Sequence, residues 1–130
     1  MHKILITGSA GFIAPHIAEE ALKLGWEVIG VDVDEVENKV KDSKIKYIKG
    51  DLRDLKANEI KDVDFVAHLA FVTNIPYSIQ NPLSTTYDNI DMTAKLLDLC
   101  TKAKVKKFIF PSTASLYGHN KIPWVEDMSI

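Results

Sequence analysis

The feature that most restricts this chain is the segment Thr7-Gly8-Ser9-Ala10-Gly11-Phe12-Ile13-Ala14, which follows the apolar run Ile4-Leu5-Ile6 and precedes a stretch of helical period. A strand that turns at once into a helix needs a backbone position unobstructed by a side chain, and Gly8 supplies one. Gly11 lets the backbone approach a ligand closely, and Ala14 keeps the helix near the strand. The helix is predicted from about Gly11 to Leu24, with Gly25 closing it. Glycine-rich turns also exist simply to turn, and this one gains weight from lying between a strand and a helix.

The rest of the chain repeats the same alternation. Strands are predicted at Glu27-Val28-Ile29-Gly30-Val31-Asp32, Lys46-Tyr47-Ile48-Lys49, Asp64-Phe65-Val66-Ala67-His68-Leu69 and Lys107-Phe108-Ile109-Phe110. A long helix is predicted from Pro82 or Leu83 to Ala103, with Ile90, Ala94, Leu97 and Cys100 or Thr101 on its apolar face. Apolar strands alternating with helices specify an α/β fold: a parallel sheet, right-handed crossovers and helices on both faces. The expected strand order is 3-2-1-4-5, the Rossmann-type arrangement, with the polar–apolar third strand at an edge. A ligand is then expected at the carboxyl ends of strands 1 and 4, where the order reverses.

The 130 residues suffice for one hydrophobic core, so residues 1–130 are read as one domain. A net charge of −2 gives no electrostatic reason to bind nucleic acid or an anionic membrane. Lys102, Lys104, Lys106 and Lys107 read as a solvated helix end, where the dipole favours cations. The single cysteine, Cys100, excludes an internal disulfide framework and a multi-cysteine zinc site, and no metal is expected. Its apolar neighbours favour a buried, inert thiol. The opening residues do not form a signal peptide, no apolar run has membrane-spanning length, and a cytoplasmic location is expected.

At the amino end of the first helix, unpaired N–H groups and the helix dipole favour a pyrophosphate. Asp32, ending the second strand, can accept hydrogen bonds from both hydroxyls of an adenosine ribose and would repel a 2′-phosphate. No arginine accompanies it, which favours NAD over NADP. The plainer reading is a solvated strand-end carboxylate, the reading given to Asp34 and Glu35. Asp51 by itself reads as a helix N-cap. His68, a lone histidine in an apolar strand, reads as a satisfied core residue and is assigned no chemistry.

Taken together, Thr7 through Ile13, Asp32, Gly50-Asp51-Leu52-Arg53-Asp54, His68-Leu69-Ala70, Asn89 and Ser112-Thr113-Ala114-Ser115-Leu116-Tyr117-Gly118 resemble the extended short-chain dehydrogenases. The likeness is closest to the NAD-dependent epimerase/dehydratase family that acts on nucleotide sugars, typified by UDP-galactose 4-epimerase. The resemblance implies that Gly8, Gly11, Phe12 and Ile13 cradle the pyrophosphate and that Asp32 holds the adenosine ribose. It implies adenine contacts from Asp51 and Leu52, cofactor contacts from Leu69, Ala70 and Thr73, and a place beside the cofactor for Asn89. Thr113 takes the catalytic position that hydrogen-bonds the reacting sugar oxygen; on its own it reads as a strand-end cap. Ala14, Met92 and Phe71 depart from the family pattern, and Phe71 is expected to reshape the wall near the nicotinamide.

The same resemblance implies a tyrosine and a lysine four residues apart on a helix, with the lysine lowering the tyrosine pKa. That pair is expected beyond Ile130, as is the smaller substrate domain. Tyr117-Gly118-His119-Asn120-Lys121 has the spacing, but Gly118 and Asn120 disfavour a helix. The chain is therefore expected to be the NAD-binding portion of a nucleotide-sugar epimerase or dehydratase, with little turnover alone. Two other readings stay open: a stand-alone NAD-binding or sensing module, and one half of a split enzyme paired with a separate C-terminal partner. The resemblance also brings a homodimer into consideration, since relatives in the family commonly pair through the helix before the fifth strand and the one after it.

Overall fold

The computed structural model describes residues 1–37 and 40–129. Strands β1 (Lys3–Thr7), β2 (Glu27–Asp32), β3 (Ile45–Lys49), β4 (Phe65–His68) and β5 (Lys107–Ile109) form one sheet in the order β3-β2-β1-β4-β5. Every pairing is parallel. Helices α1 (Ala14–Lys23), α2 (Ile75–Gln80) and α3 (Pro82–Ala103) complete the fold. The expected order is found, with each strand within about one residue of its predicted ends.

The two faces of the sheet have different cores, because side chains alternate along a strand. On one face Ile4, Ile6, Val28 and Ala67 pack against Ala14, Ala18 and Ala21 of α1. On the other, Leu5, Val31 and Val66 pack against Leu96 and Cys100 of α3, with Leu52, Ile60 and Val63 filling between. Each fully buried branched aliphatic side chain contributes roughly 1.5–3 kcal/mol through removal from water.

Three local differences from the sequence expectation have physical causes. Helix α1 begins at Ala14, three residues later than predicted, with Pro15 in its first turn. Proline lacks an N–H and is tolerated there, whereas a helix starting at Gly11 would put it where a donor is required. Helix α2 was not anticipated; the Asn74 side chain accepts from Tyr77 N and Pro76 occupies the first turn. Helix α3 has the predicted span but turns inward a face that shares only Cys100 with the predicted one. Leu96 and Cys100 are buried, whereas Ile90 is 62% exposed and Leu97 44% exposed. The helix carries two stripes of helical period, and the buried one begins with Asn89 and Thr93, whose polar groups find partners inside.

Gly25, at φ +77°, closes α1 as expected, with its N–H donating to Leu22 O. Among the described residues no helix is long and apolar enough to cross a membrane.

Candidate functional site

The turn after β1 is held from three directions. Gly8 has φ +71°, a conformation L side chains rarely adopt, and Gly11 N donates to Gly8 O at 3.0 Å. A Cβ on Gly8 would lie 2.9 Å from Ala70 N and Leu69 C, so this glycine is required by the close passage of the segment after β4. Ser9 N donates to Val31 O, tying the turn to β2. The turn then delivers the amino end of α1, whose first N–H groups have no intrahelical acceptor.

Asp32 faces this turn. Its Oδ2 accepts from Ala10 N at 2.8 Å and its Oδ1 from Asp34 N at 3.0 Å. The carboxylate is thereby fixed in orientation, and each oxygen keeps a lone pair for a further donor. Asp51 caps a 3-10 turn, Leu52–Asp54, as its isolated reading suggested, by accepting from Arg53 N at 2.8 Å. The Arg53 guanidinium grips the same carboxylate from Nε and Nη2 and reaches Asp88 Oδ1 on α3 at 2.8 Å. Hydrogen bonding from Arg53 holds the Asp51 carboxyl below its usual range, and these carboxylates hold the guanidinium firmly charged.

These elements enclose a cleft of about 400 Å³ at the carboxyl ends of β1, β2 and β4. Gly8, Gly11, Asp32, Asp51, Leu52, Leu69, Ala70 and Thr73, all singled out from the sequence, line it together. Phe71, Val72 and Met92 line it too, so two of the three departures from the family pattern face the cleft. Phe12 is 86% exposed and stacks edge-on against His16, lining an adjoining hollow beside Asp34, Glu35 and Glu37. Among the described residues lining the cleft and this hollow there is no lysine or arginine. An anion seated here would therefore meet backbone N–H groups and the helix dipole, while its surroundings carry negative side chains.

The remaining predicted residues lie outside the lining. Ile13 is the exposed residue immediately before α1. Asn89 acts on the cleft through the backbone: its Oδ1 accepts from Val72 N at 2.8 Å and its Nδ2 donates to Val72 O at 3.2 Å. Thr113 is exposed, and its hydroxyl oxygen accepts from Ser115 N at 3.1 Å, starting the 3-10 turn Ala114–Tyr117. Tyr117 and Lys121 do not share a helix face, because Gly118 ends that turn at φ +54°.

Sequence reasoning gave Arg53, Thr7 and Thr93 no role. Arg53 stood in view beside Asp51, but its second partner, Asp88, is distant in sequence.

The sequence matches the NAD dependent epimerase/dehydratase family over residues 4–129. The chain belongs to this family. Among curated relatives, this epimerase/dehydratase chain is 34% identical to a UDP-glucose 4-epimerase of Lactobacillus helveticus, over 96% of its own length and 40% of the relative's. It is 32% identical to a Klebsiella pneumoniae UDP-glucose 4-epimerase sequence, over 95% of this chain and 99% of that one. Among solved structures, an NAD dependent NDP-hexosamine 5,6-dehydratase of tunicamycin biosynthesis superposes with a TM-score of 0.80 at 34% identity, covering 100% of this chain and 43% of that one. The chain thus spans about two fifths of the length of two of these three proteins.

Proposed function

We propose that residues 1–130 form a domain that binds NAD across the cleft, as the cofactor-holding part of a nucleotide-sugar epimerase or dehydratase. The observation that carries this reading is the Asp32 carboxylate, fixed by Ala10 N and Asp34 N beside the glycine turn and the amino end of α1. A diphosphate over α1 would put the adenosine ribose against Asp32 and the adenine against Asp51 and Leu52. Leu69, Ala70 and Thr73 would follow the rest of the dinucleotide, with Phe12 and Ile13 beside the diphosphate and Asn89 steadying the wall. A 2′-phosphate would meet Asp32 and its acidic neighbours, which favours NAD over NADP. Bound NAD supplies a reversible hydride acceptor, and Thr113 is assigned to hydrogen-bonding the sugar oxygen. A cytoplasmic location suits such a cofactor and substrate.

Calorimetry with NAD and NADP tests the reading. NAD should bind and NADP should not, and Asp32→Ala should weaken NAD about tenfold. Well-folded protein without NAD affinity, or affinity indifferent to both Asp32→Ala and Gly11→Val, would refute it. A second reading, NAD binding without turnover, draws support from Tyr117 and Lys121 lying across a turn rather than on a helix. Epimerisation of a UDP-sugar by this chain alone would exclude that reading. A second copy is the partner proposed for α3, whose exposed Leu83, Tyr87, Ile90, Ala94 and Leu97 follow the alternating four- and three-residue spacing of a paired-helix seam.

A further inference from the structure

We infer that His68, joined to Thr7 and Thr93, is a positioning residue that sets the cleft wall formed by residues 69–73, at the end away from the adenosine contacts. The inference rests on the NAD-binding reading above and adds a function to a residue that otherwise counts as core.

The hydrogen bonds around the ring fix its protonation state and direction. Thr7 Oγ1 accepts from Ala70 N at 3.2 Å and from Leu69 N at 3.1 Å, an N–H it shares with Thr7 O, and the two donors occupy both of its lone pairs. Its own proton then goes to His68 Nδ1, 2.8 Å away. A neutral imidazole accepting at Nδ1 carries its proton on Nε2, which donates to Thr93 Oγ1 at 3.1 Å. Thr93 passes the polarity on by donating to Asn89 O at 2.8 Å. Each donor in this chain has an acceptor, and no alternative tautomer preserves all the bonds.

Both ends of the chain act on the cleft wall. Thr7 holds its first two N–H groups, and Asn89 brackets Val72 with its side-chain amide. His68 is the rigid strut that sets the distance between the strand carrying one anchor and the helix carrying the other. The ring has no solvent exposure and packs against Phe71, Phe108 and Phe110. Among the described residues, those that the ring bonds or stacks on, Thr7 on β1, Phe71 in the wall, Thr93 on α3, and Phe108 and Phe110 at β5, do not titrate as acids or bases in the ordinary range. Burial holds the imidazole neutral, its pKa lowered to about 4. A protonated ring would aim a second donor at a Thr7 oxygen with no lone pair left.

Calorimetry on the full chain with NAD and with AMP, which occupies only the adenosine end, tests the proposal. His68→Gln and Thr93→Val should each weaken NAD about tenfold while leaving AMP within about twofold. His68→Asn, which keeps the acceptor facing Thr7, should recover part of the loss. Nitrogen NMR of the wild-type imidazole should show the Nε2–H tautomer, a readout that needs no variant to fold. Folded variants that bind NAD normally, or lose NAD and AMP equally, would overturn the positioning role, as would an Nδ1–H tautomer. Wild-type protein that binds neither ligand would instead overturn the NAD reading itself.

Discussion

Acidification should unfold this domain through His68. The group has an ordinary value of 6.5 and is held at about 4 in the folded state by burial. Between those values the unfolded chain binds a proton that the folded chain refuses, so stability is fully present above about pH 6.5 and falls with pH down to about 4. At about pH 5 the loss from this residue comes to about 2 kcal/mol, approaching about 3 kcal/mol below the lower value. For a domain of marginal stability that is a large share of the total. Urea melts at about pH 7, 6 and 5 measure it, with His68→Asn as the reference that cannot titrate. The wild type should lose about 2 kcal/mol more than the variant between the ends of that range. Parallel stability curves for the two proteins would show that the imidazole is not held neutral and would refute the reasoning. Asp51 and Asp64, whose carboxyls are held below their usual range, lose their contributions at lower pH and do not blur this window.

Gly8→Ala should destabilise the fold by about 2 kcal/mol, since the new methyl meets backbone at 2.9 Å in a left-handed conformation; urea melts would show it. Arg53→Ala should cost about 1–2 kcal/mol of stability by releasing Asp51 and Asp88, and should weaken AMP binding in calorimetry; unchanged AMP affinity would deny the Asp51 turn a part in holding adenine.

The strands and their order were readable because buried parallel strands are written as continuous apolar runs, and the glycine turn announces which strand is central. Of the eight cleft residues, Gly8, Gly11 and Asp32 were readable from the turn and the strand end, while Asp51, Leu52, Leu69, Ala70 and Thr73 came only through the family resemblance. The orientation of α3 was not. The predicted stripe, Ile90, Ala94, Leu97 and Cys100 or Thr101, neighbours the buried one, Asn89, Thr93, Leu96 and Cys100, and periodicity cannot say which of two adjacent stripes faces the sheet. Polar partners decided it, since Asn89 and Thr93 are fastened to Val72 and His68. Those partners lie on other elements, and no local pattern records them. The six-residue α2 was missed because it buries no side chain and so leaves no apolar period, although Asn74 followed by Pro76 is a start signal.

The inward face of α1 is built from alanines, at positions 14, 18 and 21. So short a side chain lets the helix lie close to the strands, with the longer Ile17 and Leu22 only partly buried at the margin of the seam. Where its amino end points is set along a seam of methyl groups, over which rotamer exchange has little leverage. A single added methyl along this seam would tilt the whole rod, moving the first-turn amides by more than the shift at the point of insertion. Ligand affinity should then fall for a change lying two or three helical turns from anything a ligand could touch.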